Sequence, residues 1–208
     1  MNEDLTVAIL AGGNSSRFRT EKALAHLQGK PLILHMLEIA RMVCDNIIII
    51  VSEESQQNAI AELTKSVRII MDPEGKEKSA LSGAITAFEY AETRYVMLLP
   101  VDTPLVVPSM LKVLYEMIGN HGAIVPSWPS GHIEPLHAVY QAEHAYSIGL
   151  ELEEQGKLKM SDLLDRIRNV IYISTEVLKQ FDPNLDSFVN INTERDLKKI
   201  EKKMQQRK

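Results

Sequence analysis

The segment Thr6–Lys22 reads TVAILAGGNSSRFRTEK, in which a short apolar run leads directly into a loop rich in glycine, hydroxyl groups and cations. The apolar part is continuous, which predicts a buried strand. In an open α/β sheet, ligands bind in the crevice at the carboxyl ends of the strands, where this loop would lie. Gly12 and Gly13 allow a phosphate to approach backbone N–H groups closely, and Arg17 and Lys22 add positive charge. The segment therefore predicts a triphosphate-binding loop.

The loop differs from two common phosphate-binding motifs. It lacks the Gly-Lys-Ser/Thr ending of the P-loop and the three spaced glycines of the dinucleotide-binding fingerprint. Two glycines after a strand are also typical of a plain tight turn, and Arg17 and Lys22 taken alone would be solvated surface charges. The combination of first strand, paired glycines and nearby cations favours phosphate binding.

Composition limits the classes to which the protein can belong. The chain has 208 residues, 45% of them hydrophobic, and a formal net charge of −5. This length predicts one domain, residues 1–208, and the acidic balance argues against a nucleic-acid-binding surface. The single cysteine, Cys44, excludes an internal disulfide and suits a reducing compartment. No apolar run is long enough to span a membrane, and the acidic start is unlike a secretory signal, so we expect a cytoplasmic protein.

Short apolar runs alternate with segments of helical periodicity, which predicts an α/β fold with three layers (α/β/α) and a mostly parallel twisted sheet. The predicted strands are Thr6–Leu10, Asn46–Val51, Val67–Met71, Tyr95–Pro100 and Ala123–Pro126. The predicted helices between them are Pro31–Val43, Glu53–Thr64, Ser79–Ala91 and Pro108–Ile118.

The pattern changes after Pro126. Residues 127–132 are rich in turn formers and Ile133–Gln141 has the pattern of a strand, which predicts a hairpin or an insertion over the crevice around residues 127–141. Two helices, one strand and a last helix capped by Thr193 would follow. They are predicted at Ala142–Glu154, Ser161–Arg168, Val170–Ser174 and from Thr193 to the C-terminus.

A candidate metal ligand follows the strand Tyr95–Pro100. Asp102 lies between Pro100 and Pro104, which restrict the backbone on both sides. If this strand neighbours the first one, Asp102 shares the crevice with the glycine loop. Mg²⁺ prefers oxygen ligands and is often held by one or two carboxylates together with substrate phosphates. The alternative is an aspartate that bonds its own backbone in an Asx-turn.

Other polar residues also stand at strand or helix ends. Asp72 follows a strand and either forms a turn or contacts a nucleotide. Ser79 opens a helix whose start can receive an anion or a ribose hydroxyl. Asn192 precedes the predicted cap Thr193; its carbonyl can either approach a metal or serve the cap itself. The six histidines are scattered without zinc-ligand spacing, so His132 and His137 are first interpreted as structural.

The first segment resembles the nucleotide signature of the molybdenum cofactor guanylyltransferases, the MobA-like nucleotidyltransferases. That signature runs Leu-Ala-Gly-Gly-x-Ser-x-Arg-Met/Phe-Gly-x-Asp-Lys. This chain departs from it at Arg19, where the family has glycine, and at Glu21, where the family has aspartate. The matching residues are Leu10, Ala11, Gly12, Gly13, Ser15, Arg17, Phe18 and Lys22.

The resemblance continues in family order from Leu10 to Leu197, over nearly the whole chain. Asp102 and its prolines match the Pro-x-Asp-x-Pro motif, and Asp72 with Leu81 and Gly83 matches a nucleotide-binding element in which Ser79 and Ala80 replace Gly-Pro. The segment Gly131–Tyr140 resembles a Pro-Leu-x-Ala-x-Tyr strand on the acceptor side. The Asn-x-Asn-Thr-x-x-Asp-Leu element is matched by Asn190, Asn192, Thr193, Asp196 and Leu197.

The resemblance implies a Rossmann-like, GT-A-like nucleotidyltransferase fold and transfer of GMP from GTP to the terminal phosphate of molybdopterin. It implies Mg²⁺ held by Asp102, with Asn192 as a possible second ligand. Arg17, Lys22 and Asp102 would be catalytic, and Glu134, His132 and His137 become candidates for acceptor contact. Cofactor-pathway proteins are possible partners. The implied nucleotide contacts are Leu10, Ala11, Gly12, Gly13, Ser15, Lys22, Asp72 and Asp102.

Three interpretations stay open at this stage. Cytidylyltransferases of the same pathway carry Leu-Ala-Ala-Gly where this chain has Leu10–Gly13, so the resemblance favours guanine over cytosine. A sugar-phosphate or other small-molecule nucleotidyltransferase would use the same loop and aspartate. A non-catalytic GTP-binding module is the third possibility, and Arg19 in place of glycine is its best support.

Overall fold

The computed structural model of the chain describes residues 4–12, 21–73 and 78–205. Within these ranges the chain forms a seven-stranded, mostly parallel sheet flanked by helices, as the sequence predicts. The strands are β1 (Leu5–Leu10), β2 (His26–Leu27), β3 (Lys30–Pro31), β4 (Ile47–Val51), β5 (Arg68–Met71), β6 (Tyr95–Pro100), β7 (Ala123–Ser127), β8 (Val139–Gln141) and β9 (Val170–Ser174).

Helices connect most of these strands, and their positions agree closely with the predicted ones. Short 3₁₀ helices cover Lys22–Leu24 and Asp186–Phe188. The α-helices are α1 (Leu32–Arg41), α2 (Glu54–Leu63), α3 (Ala80–Tyr90), α4 (Pro108–Glu116), α5 (Ala142–Glu154), α6 (Met160–Leu164), α7 (Thr175–Leu178) and α8 (Glu194–Gln205).

The strand order across the main sheet is β5-β4-β1-β6-β8-β7-β9. β8 runs antiparallel to β6 and β7, whereas the other neighbouring strands are parallel. The sheet therefore brings the carboxyl ends of β1, β4, β5 and β6 to one edge. Ligands bind at this edge in open α/β sheets.

Two apolar cores, one on each face of the sheet, give the protein its three layers. Alternate residues of β1 point to opposite faces, so that Val7 and Ile9 lie in one core and Ala8 and Leu10 in the other. Buried residues of α1, α2 and α4 complete the first core, and those of α3, α5 and α6 complete the second. The central strand β4 is apolar throughout because both of its faces are buried.

Two predicted elements are wrong in extent. The strand predicted over Ile133–Gln141 exists only as β8, because Pro135 has no N–H to donate and the His137 N–H closes a turn onto the Glu134 carbonyl at 3.1 Å. The helix predicted over Ser161–Arg168 ends at Leu164, and Asn169 then turns the chain into β9 with a φ of 60°.

The hairpin of β2 and β3 lies between the glycine loop and α1, where no strand was predicted. Sequence analysis therefore missed it. Its two-residue turn consists of Gln28 and Gly29, whose φ angles are 49° and 78°. Positive φ at both central positions is typical of the type I′ turn, which matches the twist of paired strands. Gln-Gly is a weaker turn signal than Asn-Gly. Among the described helices, none combines the length and the apolar character needed to cross a membrane.

Candidate active site

The glycine loop and the Asp102 turn leave adjacent strands at the same edge of the sheet. Leu10, the last residue of β1, is in register with Pro100, the last residue of β6. The Val101 N–H then donates to the Leu10 carbonyl at 3.1 Å. The spatial condition for a shared crevice, that the two strands are neighbours, is therefore met.

A cavity of about 350 Å³ opens at this edge. Its volume falls within the range of small-molecule sites. The described residues that line it include most of the positions singled out from the sequence within those ranges. They are Leu10, Ala11, Gly12, Lys22, Ile50, Ser52, Asp72, Lys78, Ser79, Ala80, Gly83, Pro100, Val101, Asp102 and Leu136.

Lys22, Asp102 and Asn192 meet beside this cavity. The Lys22 ammonium lies 2.7 Å from Asp102 Oδ2 and donates to Asn192 Oδ1 at 3.1 Å. The side chains of Lys22 and Asp102 are only 20% and 17% exposed, so water screens the pair less than it would an open surface pair. The Ile191 N–H also donates to the Asp102 backbone carbonyl at 2.8 Å, which fastens the C-terminal segment to the Asp102 turn.

The same arrangement tests whether these residues suit a divalent metal. Asp102 and Asn192 aim two oxygen atoms at one point, and the ammonium of Lys22 occupies that point as a cation. Mg²⁺ takes oxygen ligands of this kind and needs only one or two carboxylates when phosphates supply the rest. Residues 4–12, 21–73 and 78–205 contain no cluster of three or more His, Cys, Asp or Glu side chains suited to a metal. The donor set thus fits a metal carried in part by a nucleotide.

Gly12 lies in close contact with Ser52 of the adjacent segment. A Cβ at position 12 would lie 3.1 Å from both Cβ and N of Ser52, closer than ordinary van der Waals contact. The N–H groups of Ala11 and Gly12 both donate to the Ile50 carbonyl, at 2.8 and 3.2 Å. The Gly12 N–H is thus bonded to β4 in this structure, and its donation to a phosphate stays a prediction.

A buried amide holds the start of the glycine loop. The Gln56 side chain, 6% exposed, donates from Nε2 to the Ala11 carbonyl at 2.8 Å and accepts the Ser52 N–H at Oε1, at 3.2 Å. It joins the ends of β1 and β4 from α2. Sequence analysis missed Gln56 and Ser52, since neither belongs to a recognisable motif.

Asp72 lies at the end of β5, facing the start of α3. Burial raises the pKa of its carboxyl, while a hydrogen bond with Thr86 and the charge of Lys78 oppose that rise. Asp72 Oδ1 is buried without a hydrogen-bond partner, and a Cβ on Gly83 would come 3.8 Å from Oδ2. A buried acceptor with no donor is costly, and a donor group of a ligand in the cavity would satisfy it.

The start of α3 forms another part of the cavity wall. Ser79 caps this helix, accepting the Ser82 N–H at 3.0 Å. Lys78 immediately precedes it and pairs with Glu53 at 3.0 Å. Lys78 adds a cation to the cavity that sequence analysis did not single out, because a lone lysine before a helix carries no signal.

Glu134, His132 and His137, the candidates for acceptor contact, differ in their burial and in their hydrogen-bond partners. His137 is only 2% exposed, and burial lowers its pKa to about 3, so the ring is neutral. It is Leu136 that lines the cavity. Glu134 accepts a hydrogen bond from Trp128 Nε1 at 2.8 Å, and His132 Nε2 lies 3.6 Å from the same carboxylate. The interpretation of His137 as structural agrees with its burial.

The remaining predicted site residues, Gly13, Ser15 and Arg17, lie outside the described residues, as does Arg19. The part of the site that the structure describes thus consists of Leu10–Gly12, Lys22, Asp72, Asp102 and Asn192.

Comparison with known proteins identifies the family. Residues 7–170 match the model of the MobA-like NTP transferase domain. The chain belongs to this MobA-like family. The match runs from β1 to β9, so it includes the strands that carry the glycine loop, Asp72 and Asp102.

Relatives of known name extend the comparison over the full chain. A protein of Pyrococcus horikoshii named probable molybdenum cofactor guanylyltransferase is 34% identical, over 93% of this chain and 97% of that protein. A Bacillus cereus protein of the same name is 33% identical, over 93% and 94%. The crystal structure of molybdopterin-guanine dinucleotide biosynthesis protein A from Archaeoglobus fulgidus superposes with a TM-score of 0.84 at 29% identity, covering 97% of this chain and 99% of that one. The MobA-like fold of the present chain is therefore a nucleotidyltransferase fold.

Proposed function

We propose that this protein is a molybdenum cofactor guanylyltransferase, which transfers GMP from GTP to the terminal phosphate of molybdopterin and releases pyrophosphate. The observation that carries the proposal is the meeting of Lys22, Asp102 and Asn192 at a cavity that also contains Leu10–Gly12 and Asp72. The names of the relatives supply the substrates.

The reaction is an in-line displacement at phosphorus. An oxygen of the acceptor phosphate forms a bond to the α-phosphorus of GTP, the bond from that phosphorus to the bridging oxygen of the β-phosphate breaks, and pyrophosphate leaves with the electron pair. A phosphate nucleophile is already ionised near neutral pH, so the protein needs no general base. Orientation of the reactants and neutralisation of charge supply most of the rate enhancement.

The glycine side of the cavity, Leu10–Gly12 with Ile50 and Ser52, supports a nucleotide-binding role. Gly12 brings the backbone against Ser52, and both residues line the cavity. Gly13, Ser15 and Arg17 belong to the proposed phosphate contacts by the family resemblance. Asp72 Oδ1, which has no partner, would accept a hydrogen bond from the nucleotide.

The carboxylate side, Lys22 with Asp102 and Asn192, supports charge neutralisation. Asp102 and Asn192 would hold Mg²⁺, which when bound neutralises charge on the nucleotide phosphates. Lys22 now bonds to both of these oxygens. When the nucleotide binds, the Lys22 ammonium would move to the leaving phosphates. A phosphate anion is a stronger partner for it than a shared carboxylate.

The proposal includes a single domain over residues 1–208, with residues 127–141 on the acceptor side. Two facts support it: β1 and β9, the first and last strands of the described residues, belong to one sheet, and Leu136 lines the cavity.

The test is pyrophosphate release by the purified protein. Each of GTP, ATP, CTP and UTP is incubated with molybdopterin and Mg²⁺, and with the acceptor or the metal omitted. We expect release only with GTP, acceptor and metal together. Release with CTP would indicate a cytidylyltransferase. In a further reaction a sugar phosphate replaces molybdopterin, and release there would indicate a different nucleotidyltransferase. GTP binding without any turnover would leave a non-catalytic module and refute the proposal.

A further inference from the structure

The turn that carries Asp102 is organised around the buried hydroxyl of Thr103. This side chain is 0% exposed, and its Oγ1 donates to the Pro100 carbonyl at 3.1 Å. The Val106 N–H returns to the Thr103 carbonyl at 3.1 Å and closes the turn. Because Asp102 lies between Pro100 and Thr103, the position of its carboxylate depends on how Thr103 is held.

His137, which lies just before β8, contacts the Thr103 side chain. Its Nε2 lies 3.2 Å from Thr103 Oγ1. A hydroxyl has one proton, and Thr103 gives that proton to Pro100, so Oγ1 accepts from the ring and Nε2 carries the hydrogen. The other ring nitrogen, Nδ1, is buried without a hydrogen-bond partner and lies 3.8 Å from Glu134 Oε2. The ring is thus present as the neutral Nε2–H tautomer.

The same ring also contacts the segment that leads to Asn192. His137 packs edge-on against Phe188 with the ring centroids 5.2 Å apart and the planes at 83°. From Phe188 the chain continues to Ile191, whose N–H donates to the Asp102 carbonyl at 2.8 Å, and then to Asn192. His137 therefore lies between the supports of both oxygen ligands that share the Lys22 ammonium.

We propose that His137 is a positioning residue, which sets the Asp102 turn through Thr103 and the Asn192 segment through Phe188 so that the two side-chain oxygens converge on one cation. The proposal rests on the function proposed above, since it assigns a purpose to that convergence. His137 is 2% exposed and is not among the described residues that line the cavity. Because His137 and its neutral partner Thr103 are both buried, the hydrogen bond between them restricts the position of the Thr103 side chain.

Two substitutions separate the two contacts of the ring. His137→Phe keeps an aromatic ring against Phe188 and removes the Nε2 donor, whereas His137→Gln places an amide donor near Nε2 and removes the ring. Thr103→Val deletes the accepting hydroxyl with little change of shape, and Thr103→Ser retains it. His35→Phe is the matched control, because His35 also bonds through Nε2, to the Leu27 carbonyl at 2.9 Å, away from the cavity.

The first measurement is amide hydrogen exchange at Val101, Val106 and Ile191, which report the turn and its link to the C-terminal segment. We expect His137→Phe and Thr103→Val to speed exchange at Val101 and Val106 at least tenfold, because both changes remove the hydrogen bond. His137→Gln should speed exchange at Ile191, because it removes the ring. Thr103→Ser should stay near the parent at all three amides. His35→Phe should lower the melting temperature without affecting them. Unchanged exchange in His137→Phe would overturn the proposal.

The second measurement is kinetic. Loss of an outer ligand support typically costs about 10- to 100-fold in metal affinity or activity. We expect His137→Phe to lower kcat and raise the Mn²⁺ concentration for half-maximal rate by such factors, with KM for GTP nearly unchanged. His137→Gln should recover the part of the loss that comes through Thr103. A double variant with Thr103→Val should lose little more than either single variant. A defect in the Gln variant without one in the Phe variant would mean a packing role only and would overturn the proposed contact through Thr103.

The two measurements also separate this proposal from the proposed function. If the parent protein releases no pyrophosphate from GTP, the guanylyltransferase assignment fails, while hydrogen exchange still decides whether His137 positions the Asp102 turn.

Discussion

On the glycine side of the cavity, backbone hydrogen bonds between neighbouring strands hold the chain, whereas on the carboxylate side the contacts are made by side chains from distant segments. Ala11 and Gly12 are bonded to Ile50 in the adjacent strand. Lys22 reaches Asp102 across 80 positions and Asn192 across 170. The first side is a local consequence of the parallel sheet, and the second depends on the whole fold.

This difference predicts that side-chain substitutions have different effects on the two sides of the cavity. A backbone hydrogen bond survives most side-chain substitutions, so the glycine side should fail mainly through sterics or loss of its one buried clamp, Gln56. The carboxylate side should fail at each charged or amide group, because the contacts among Lys22, Asp102 and Asn192 are all made by side chains. Substitutions can therefore test the comparison directly.

The largest effect is expected for Asp102→Asn. The change removes the negative charge while retaining the shape, and we expect loss of turnover by roughly 10³-fold or more, because electrostatic stabilisation supplies the largest part of such catalysis. The measurement is pyrophosphate release at saturating GTP. Asp45→Asn, an exposed aspartate before β4 at the opposite edge of the sheet, is the control. Turnover within a few-fold of the parent would remove Asp102 from the reaction.

Lys22→Met should follow, with a loss of roughly 10²- to 10³-fold in kcat, because a charged donor to the leaving phosphates is lost. The same variant frees Asp102 and Asn192 from the ammonium. We therefore expect the nucleotide-free variant to bind Mn²⁺ more tightly than the parent in a calorimetric titration. Lys112→Met, on the exposed surface of α4, serves as the matched variant. A weaker Mn²⁺ affinity in the Lys22 variant would contradict competition for these oxygens.

Gln56→Leu tests the clamp of the glycine side. It leaves the Ala11 carbonyl and the Ser52 N–H unpaired in a buried place, which should reduce the free energy of unfolding by about 1 to 3 kcal/mol. Urea unfolding gives this value, and KM for GTP should rise. Gln57→Leu, which removes one partly buried bond to the Ile69 carbonyl, is the neighbouring control and should leave KM unchanged. Equal effects of both changes on KM would show that Gln56 has no special relation to the loop.

A smaller effect is expected on the pH dependence of the free energy of unfolding. Burial lowers the pKa of His137 to about 3 from its ordinary value of 6.5. Between these values the unfolded chain binds one more proton than the folded protein, so stability falls as the pH falls, by at most about 1.4 kcal/mol per pH unit. His137→Gln should flatten the measured slope of unfolding free energy between pH 6 and 4.5.

His35→Gln provides a comparison for that slope. Burial also lowers the pKa of His35, but its ring is only half-buried, so we expect a smaller flattening. A slope that stays as steep in His137→Gln as in the parent would mean that other groups cause it.

Much of the fold follows from the sequence because strands covered on both faces must be apolar throughout. The runs at Ile47–Val51 and Tyr95–Pro100 contain no polar side chain, except for one tyrosine hydroxyl, and their boundaries are nearly those predicted. The short ribbon of β2 and β3 was not found, since two-residue strands have no periodicity. The strand predicted to begin at Ile133 begins later, because Pro135 and a local turn interrupt an otherwise apolar pattern.

The sequence by itself determined the architecture and singled out the segment proposed to bind phosphate, because hydrophobic pattern and a contiguous glycine motif are local properties. Only the tertiary structure decided that Lys22 pairs with Asp102 and Asn192, that Gln56 clamps Ala11 to Ser52, and that His137 supports Thr103. These contacts join residues far apart in the chain, and their geometry depends on strand order and on which side chains the two cores bury. No local pattern encodes such distances.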